Sequence, residues 1–464
     1  MPQYPRILIV GAEPFEYVTG RGITLSNFFK GWPRDRIACV HSSSMNPATD
    51  VCADYFRLGR EELGWAFPLS LVMALPRLRA MAEAPAVSSV YDGCGTTSPG
   101  RRTRTLPKRL RSLASGFGLG AARRVLLSRC FRTWLRKHRS DVVYSTPTSL
   151  SDICAADSIS RFVGAGIVVH MYDDWVQHAK PNASSRLLAP FVEHRLKRLF
   201  AASVLTLAIG KAMSKAYESR YGRSFPHFQN CPDARIWLDH QRSNWRVGAE
   251  FRLVFTGMVY QSCNAKSLKE LATAVSYLNR TARVRIQLDI HTSAAQAETA
   301  RRLMGESDEM RIGVAPPEQE EVARLYGSAD ALILAFDFDP AAEALSRFSM
   351  PTKLPAYMLS GAPVFVYAPA SSAALRFLVE ADAAYVVDRH CSSEQLAGHL
   401  LRFCTDEPLR ERLAINASRV ALSELSAETV RPRFQSLLLE TFAGIKSASG
   451  RLSTGHEAQD RDPT

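Results

Sequence analysis

Short apolar runs alternate with amphipathic segments along most of the chain, and this alternation predicts strands connected by helices. In the first half, the runs that we interpret as strands are RILIV (6–10), RIACVHSS (36–43), DVVYSTP (141–147), AGIVVHMY (165–172) and SVLTLAIG (203–210). In the second half, they are FRLVFTG (251–257), RVRIQLDIH (283–291), MRIGVA (310–315), ADALILAF (329–336), GAPVFVY (361–367) and AAYVVD (383–388). Because strands linked by helical crossovers lie parallel, we predict the α/β fold class with parallel sheets.

The alternation stops once and then restarts, so we predict two facing Rossmann-like domains. Residues 1–229 form the first domain, residues 230–248 a linker, and residues 249–445 the second domain. A chain of 464 residues is also too long for one ordinary hydrophobic core. We expect the last helix, over about 428–445, to pack back across the domain junction, and residues 446–464 to form a disordered tail.

The net charge of +13 is concentrated in one block of the first domain. Residues 93–140 contain thirteen lysines and arginines and no acidic residue, while the rest of the chain has 45 basic and 45 acidic residues. Such a block favours a polyanionic partner. Nucleic acid is the less favoured partner, because the block lacks interleaved aromatic residues and a recognisable binding module. We therefore predict contact with an anionic membrane surface.

The basic block divides into a loop and a helix. Residues 98–112 contain Pro, Gly and Ser, which indicates a loop, and residues 119–139 have apolar positions at helical spacing with arginines on the opposite arc. For the helix we favour a scaffold role, with its apolar stripe against the core. For the loop we favour binding of anionic lipid, because a solvated loop does not require so many cations. Its membrane-binding candidates are Arg101, Arg102, Arg104, Lys108, Arg109 and Arg111.

The cysteines and the apolar segments indicate a cytoplasmic protein. The nine cysteines are scattered and include no CxxC pair, so neither a zinc site nor a disulfide framework is predicted, and a reducing compartment fits. The N-terminal residues do not have the layout of a signal peptide. A long apolar stretch such as WAFPLSLVMALP (65–76) falls short of the ~18 residues that span a bilayer. We expect membrane association to be peripheral, at the inner face of the cell membrane.

Candidate chemistry in the first domain lies in two loops that follow strands, because facing Rossmann-like domains bind ligands at the carboxyl ends of their strands. Gly20, Arg21 and Gly22 precede a helix whose N-terminus favours an anion such as phosphate. An ordinary turn explains these residues equally well, and their spacing is not a dinucleotide fingerprint. Asp173 and Asp174 follow another strand, where they are placed to bind sugar hydroxyls, to act as a base, or to cap the next helix.

Candidate chemistry in the second domain centres on Lys353, at the start of the helix predicted in SMPTKLPAYML. The helix dipole disfavours a cation at a helix N-terminus, so we favour a functional role over a solvated lysine. Together with the free N–H groups of the helix, Lys353 forms a candidate site for a diphosphate. We place Thr352 as the helix cap.

Several segments resemble glycosyltransferases of the GT-B fold, near glycosyltransferase family 4. In the second domain the similar segments are FTG (255–257), GVAPPEQEEVARLYGSADALILAF (313–336) and SMPTKLPAYMLSGAPVFVY (349–367). RILIVGAEPF (6–15) and GRGITLSNFFKGW (20–32) resemble the opening strand and loop of such enzymes, and QNCPDA (229–234) resembles their Asn-x-x-Asp linker. The resemblance extends over most of residues 5–442 and implies the two-domain GT-B architecture.

The resemblance implies transfer of a sugar from a nucleoside-diphosphate sugar to an acceptor, with Lys353 neutralising the departing diphosphate. The residues that would contact the donor are Gly257, Met258, Ser349, Thr352 and Lys353. The acceptor would enter past Gly20–Gly22, and the candidate catalytic residues are Asp173, Asp174 and Lys353. No cofactor or metal is implied, so Asp337 and Asp339, an Asp-x-Asp at a strand end, have no metal role. The acceptor class implied is a lipid-linked or other saccharide of surface polysaccharide synthesis.

Two residues depart from the family pattern. Family 4 enzymes usually carry two glutamates in this region, whereas the aligned residues here are Phe348 and Ala356, and Glu343 is out of register. Ribose binding and the stereochemical outcome are therefore left open. A non-catalytic GT-B-like scaffold that binds a sugar or nucleotide explains the missing carboxylates as well. A nucleotide-sugar epimerase is a further alternative, disfavoured because no GxxGxxG follows the first strand.

Overall fold

Each half of the chain folds around a six-stranded parallel sheet, which confirms the predicted α/β class. The computed structural model describes residues 4–11, 13–65, 123–178, 183–282, 284–305 and 307–457. The strands of the first half are β1 (Ile7–Val10), β2 (Ile37–His41), β3 (Asp54–Arg57), β4 (Leu63–Trp65), β5 (Arg123–Val125), β6 (Val142–Ser145), β7 (Gly166–Met171) and β8 (Ser203–Ala208). Its helices are α1 (Gly20–Phe29), α2 (Arg129–His138), α3 (Leu150–Val163), α4 (Trp175–His178), α5 (Ala183–Ala202) and α6 (Lys211–Tyr221). The strand order is β3-β2-β1-β6-β7-β8, and β4 and β5 form a separate antiparallel pair.

The second half begins with α7 (Ala234–Leu238) in the linker and repeats the alternation. Its strands are β9 (Phe251–Thr256), β10 (Ile286–Thr292), β11 (Met310–Val314), β12 (Ala331–Ala335), β13 (Val364–Tyr367) and β14 (Tyr385–Val387). The helices are α8 (Ala265–Thr281), α9 (Ala294–Met304), α10 (Gln319–Ser328), α11 (Pro340–Ser346), α12 (Leu354–Leu359), α13 (Ala373–Glu380), α14 (Ser393–Thr405), α15 (Glu407–Val420) and α16 (Ala427–Glu457). The strand order β11-β10-β9-β12-β13-β14 is that of a doubly wound Rossmann sheet.

Strands at the centre of each sheet are buried and mainly apolar, because helices cover both faces of a parallel sheet. All residues of β1, β6, β12 and β13 are buried. This explains why continuous apolar runs, rather than alternating ones, marked these strands in the sequence. The strand at the edge of the first sheet, β3, is only partly buried, and its weaker apolar pattern did not predict it.

The helix predicted over 119–139 is wrong in its first part. Residues 123–125 form β5, which pairs with β4 in the antiparallel register Leu63↔Val125. The helix begins only at Arg129, because the Ser128 side chain accepts a hydrogen bond from the Phe131 amide and caps its N-terminus. Phe131 and Leu135 face the core, while Leu126, which lies within the range predicted as helix, is 48% exposed.

The C-terminal helix α16 returns to the first domain, as predicted. Phe434 is fully buried and stacks on Phe28 of α1 with ring centroids 4.6 Å apart. Arg431 Nε donates to the Asn27 carbonyl at 2.6 Å, and Gln435 Nε2 donates to the Phe28 carbonyl at 3.0 Å. The helix continues to Glu457, into the segment expected to be a disordered tail.

The basic loop 98–112, with its six membrane-binding candidates, lies outside the described residues. In the part of the chain that the structure describes, no helix has the length and apolarity needed to cross a membrane.

Candidate functional site

A loop of the second domain, residues 348–352, crosses the cleft and contacts the carboxyl ends of the first-domain strands. Ser349 Oγ donates to Asp173 Oδ1 at 2.9 Å, and Thr352 Oγ1 donates to the Gly20 carbonyl at 3.2 Å. Asn230 Nδ2 in the linker donates to the Thr352 carbonyl at 2.8 Å. These hydrogen bonds link the two domains across the cleft, and we call this arrangement closed. The expectation that Thr352 caps α12 is wrong, because its hydroxyl is directed to the Gly20 carbonyl.

Lys353 lies at the point where α12 meets the end of β9. Every residue of α12 is buried, and the Tyr357 hydroxyl accepts a hydrogen bond from the Thr256 amide at 2.9 Å, which fixes the helix against the strand. Lys353 Nζ donates to the Thr256 carbonyl at 2.5 Å and lies 3.7 Å from the centre of the Phe255 ring. Burial lowers the pKa of Lys353 to about 7. The charged form of the amine is therefore only partly populated near pH 7, and an approaching anion would stabilise it.

Gly257 gives this amine a backbone neighbour without a side chain. Its φ of +123° is a conformation that residues with a Cβ rarely adopt, and a Cβ there would lie 3.4 Å from Lys353 Nζ. The next residue, Met258, is 39% exposed. The structure thus brings together Lys353, Gly257 and Met258, three of the residues that the resemblance assigned to the donor.

The glycines of the Gly20–Gly22 segment are explained by close packing. A Cβ on Gly20 would lie 2.7 Å from Thr352 Oγ1, and a Cβ on Gly22 would lie 1.9 Å from Glu16 Oε1. The Glu16 carboxylate accepts hydrogen bonds from the amides of Val18 and Thr19 at 2.6 and 2.9 Å, and burial raises its pKa. The anion at the N-terminus of α1 in this structure is therefore the protein's own carboxylate.

The structure separates the two adjacent aspartates. Asp174 is 1% exposed; its oxygens accept two hydrogen bonds from Arg220 at 3.1 Å and one from the Tyr217 hydroxyl at 3.0 Å. Asp173 instead lies in the cleft, where it contacts Ser349 and pairs with Arg21 at 3.4 Å. Asp174 thus holds α6 against the end of β7, and we retain only Asp173 as a candidate for contact with a ligand.

The carboxylates of the Asp-x-Asp segment cap helices. Asp337 Oδ1 accepts from the Ser267 amide at 2.7 Å in the first turn of α8, and burial raises the pKa of Asp337. Asp339 Oδ1 accepts from the Ala341 and Ala342 amides, both at 3.1 Å, at the start of α11. Across the described ranges, no group of three or more His, Cys, Asp or Glu side chains gathers as a candidate metal site.

The positions aligned with the missing glutamates are apolar and packed. Ala356 is 5% exposed, and Phe348 packs against the core of the first domain. Glu343 lies on α11, where its Oε1 accepts a hydrogen bond from Ser371 Oγ at 2.8 Å and pairs with Arg347 at 3.7 Å. In these contacts, none of the three residues provides a carboxylate next to Lys353.

The sequence pattern does not single out two polar residues at the end of β10. His291 pairs with Thr256 in the sheet, and its carbonyl accepts a hydrogen bond from the Gly257 amide at 2.8 Å. His291 Nδ1 and Thr292 Oγ1 are buried atoms without a hydrogen-bond partner among the described residues, and burial lowers the pKa of His291. The signal that was available is a polar pair, His-Thr, that ends an apolar strand beside Gly257.

Sequence comparisons do not place the chain in a family. No protein-family profile matches it, and no curated protein matches it by sequence.

Solved structures match nearly the whole chain. HepE from Anabaena, in complex with UDP-glucose, is 12% identical, with a TM-score of 0.57 over 94% of this chain and 99% of that one. WaaG, a glycosyltransferase involved in lipopolysaccharide biosynthesis, is 14% identical, with a TM-score of 0.54 over 93% and 99%. An α,α-trehalose-phosphate synthase from Burkholderia xenovorans, in complex with glucose-6-phosphate, is 11% identical, with a TM-score of 0.57 over 94% and 100%. At these identities the similarity establishes the architecture: the chain has the GT-B fold of these glycosyltransferases.

Proposed function

We propose that the protein is a glycosyltransferase that moves a sugar from a nucleoside-diphosphate sugar to a saccharide acceptor. The observation that carries the proposal is the Lys353 ammonium beside the bare backbone of Gly257 at the interdomain cleft. Positive charge held there before the reaction stabilises the negative charge that develops on a departing diphosphate. The GT-B proteins support this assignment, since HepE was solved with UDP-glucose and WaaG is a glycosyltransferase.

In the proposed donor complex, the diphosphate lies against Lys353 and Gly257, and the nucleoside extends over Met258 toward the end of β10. The side chains of His291 and Thr292, whose Nδ1 and Oγ1 atoms are buried and unpartnered among the described residues, would hydrogen-bond the ribose or the base once they turn toward the donor. They would replace the family glutamate that is aligned with Ala356. Ser349 and Thr352, which now contact the first domain, would close the loop over the donor.

In the proposed acceptor site, Asp173 orients a sugar hydroxyl toward the donor. Its carboxylate is 16% exposed at the cleft and already accepts a hydroxyl hydrogen bond, from Ser349. Arg21, which pairs with it at 3.4 Å, holds the carboxylate close to the α1 N-terminus. An acceptor hydroxyl would replace the Ser349 hydroxyl when the loop moves.

We further propose that the transfer needs no divalent metal ion. Lys353 supplies a positive charge for the diphosphate, and the carboxylates of Asp337 and Asp339 are occupied by backbone amides. Turnover is therefore expected to persist in EDTA. Loss of turnover in EDTA, with recovery on addition of manganese, would contradict this assignment.

The acceptor that we propose is a lipid-linked saccharide of surface polysaccharide synthesis, reached by a protein that binds peripherally to the inner face of the cell membrane. The observation that supports it is the basic block 93–140, which has no acidic residue. A diphosphate-linked lipid lies in an anionic surface that such a block would bind.

The donor proposal is tested with a panel of nucleoside-diphosphate sugars, by thermal stabilisation and by sugar release or transfer. One member of the panel is expected to raise the melting temperature, because a ligand of the folded state stabilises it by mass action. Lys353→Met should remove this stabilisation and the turnover. Lys269→Met, which removes an exposed lysine on α8, is the matched control and should change neither. A Lys353→Met protein with unchanged donor binding would overturn the proposal.

A second candidate function is a non-catalytic scaffold that binds a nucleotide sugar. The buried Ala356 and the packed Phe348, at the aligned glutamate positions, favour it. The same panel separates the two functions: a scaffold is stabilised by a donor but neither hydrolyses nor transfers its sugar.

A further inference from the structure

A cavity of about 1090 Å³ lies between the domains, on the side where the chain crosses from one to the other. Its walls include the start of α6, the first crossing at 227–229, helix α13, and the second crossing at 419–433. The two crossings are neighbours, since the Ala427 amide donates to the Pro232 carbonyl at 2.9 Å. The cavity therefore lies at the hinge about which the domains would open.

The hinge cavity is distinct from the candidate donor site. Lys353, Gly257 and Asp173 are not among its lining residues. The cleft-crossing loop stands between the two spaces, because Ser349 bonds to Asp173 on one side and Met350 packs on Gly210 on the other. A Cβ on Gly210 would lie 2.8 Å from Met350 Cγ, so the two domains touch there.

The hinge cavity carries an excess of positive charge contributed by both domains. Its basic residues are Lys211, Lys215, Arg376, Arg419 and Arg433, and its acidic residues are Glu380 and Glu424. One ion pair, Lys211 with Glu380 at 3.1 Å, joins members of this set and links the two domains. Burial lowers the pKa of His227 in the cavity wall, and the positive charges of Arg433 and Lys211 lower it further. Guanidinium groups are suited to phosphate because they donate two parallel hydrogen bonds.

A buried amide in the wall has no partner. Gln229 is 6% exposed, and its Nε2 makes no hydrogen bond with the described residues. A buried donor left unpaired is costly, so a native structure usually provides a partner for it. Because Nε2 itself has almost no accessible surface, an acceptor oxygen of a ligand would become its partner once the side chain turns toward the cavity.

We propose that the hinge cavity binds a small phosphorylated metabolite with two or more negative charges, and that binding favours the closed arrangement of the domains. The phosphate would bridge Lys211 of the first domain to Arg376 of the second and to Arg433 at the crossing. Opening the hinge separates these cations, so the ligand binds the closed form more tightly and shifts the population toward it. Phe348 and Phe377 provide an apolar wall for the carbon skeleton.

Pyrophosphate, titrated at constant ionic strength into the full-length protein, is the probe for this site. The double variant Arg376→Gln/Arg433→Gln is expected to weaken its binding about tenfold or more, since hydrogen bonds to charged groups are lost. Arg285→Gln/Arg324→Gln removes the same charge from exposed positions of the second domain and should bind as the wild type does. Circular dichroism would confirm that both variants fold. Equal binding by the two double variants, or no binding by the wild type at millimolar pyrophosphate, would overturn the proposal.

Lys353→Met distinguishes this inference from the proposed function, because it removes the donor-site cation and leaves the hinge cavity intact. It should retain pyrophosphate binding at the cavity even if the donor proposal fails. Hydrogen exchange supplies the second readout. Pyrophosphate should slow exchange in residues 349–352 and at the start of α1 in Lys353→Met, but not in the triple variant Lys353→Met/Arg376→Gln/Arg433→Gln. Unchanged exchange in both proteins would show that a ligand of the hinge cavity does not govern closure.

Discussion

Lys353 is an amine whose charge is stabilised by few neighbours. It donates to the Thr256 carbonyl, and burial lowers its pKa to about 7. A bound diphosphate favours the charged amine and so raises this pKa. Donor binding is then expected to take up a proton above pH 7, and donor affinity should fall as the pH rises through that range. Calorimetry at about pH 8 in buffers of different ionisation enthalpy measures the uptake, and Lys353→Met should abolish it. An affinity that does not change between about pH 6 and 9 would contradict the assignment.

Asp173 and Asp174 are expected to respond oppositely to substitution. Asp174→Ala leaves Arg220 and Tyr217 without their buried partner and should reduce the free energy of unfolding by about 3 kcal/mol. Asp173→Ala removes a contact at the cleft and should change stability by about 1 kcal/mol or less while it lowers turnover. Urea unfolding and a transfer assay on both variants measure the two effects. A stable Asp174→Ala protein with a specific kinetic defect would restore Asp174 to the site.

The sequence was sufficient to predict that Lys353 and Gly257 share a site, because each belongs to a recognisable motif. Gly257 ends a strand, and Lys353 begins a helix. It could not separate Asp173 from Asp174. The two residues lie in the loop between β7 and α4, where the side chain of Asp173 enters the cleft and that of Asp174 faces α6. Which one faces the cleft depends on Arg220, which is distant in the sequence.

At the scale of the element, α1 is arranged around the Glu16 carboxylate at its N-terminus. Gly22→Ala places a Cβ where Glu16 Oε1 lies, so the carboxylate must move and lose its bonds to the Val18 and Thr19 amides. We expect a loss of about 1–3 kcal/mol in the free energy of unfolding. In a Glu16→Ala background the same change should be neutral or stabilising, because alanine is a better helix former than glycine. A double-mutant cycle by urea unfolding measures this coupling. Equal effects in both backgrounds would show that Glu16 does not restrict position 22.

The N-terminus of a helix was predictable only where a cap could be recognised. The helix over 119–139 was placed too early because arginines and leucines at 123–127 fit a helical spacing, although β4 pairs with these residues and Ser128 starts the helix after them. The pairing partner, Leu63–Trp65, lies far away in the sequence and has a short, ordinary pattern. The long-range pairing with β4 therefore determines the structure of residues 123–125, although their local periodicity favours a helix.

At the scale of the whole molecule, the two-domain organisation could be predicted because each domain repeats the same local alternation. The closure of the cleft could not be. It depends on contacts such as Thr352 with Gly20 and Ser349 with Asp173, whose partners belong to different domains. The hinge cavity is equally beyond sequence reasoning, because its cations come from α6, α13 and the second crossing. In the sequence, nothing distinguishes any one of these basic residues from an ordinary solvated lysine or arginine.

The basic block determines the last prediction, which concerns the protein at a membrane. Strands β4 and β5, which flank residues 66–122 in the sequence, pair with each other. Six basic residues lie in 98–112, and each is worth about 1 kcal/mol near an anionic surface. We expect the protein to co-sediment with anionic vesicles, to be released by salt, and to ignore neutral vesicles.

Two variants test this prediction with the same change of charge. The first replaces by Ser or Gln the loop residues Arg101, Arg102, Arg104, Lys108, Arg109 and Arg111. The control replaces exposed basic residues of the second domain, Lys269, Arg285, Arg301, Arg302, Arg311 and Arg324. Because the charge that matters is the one near the bilayer, only the first variant should lose vesicle binding. Equal losses in both variants would mean that net charge alone drives adsorption. If the wild-type protein does not bind anionic vesicles at low salt, the proposed membrane association is wrong.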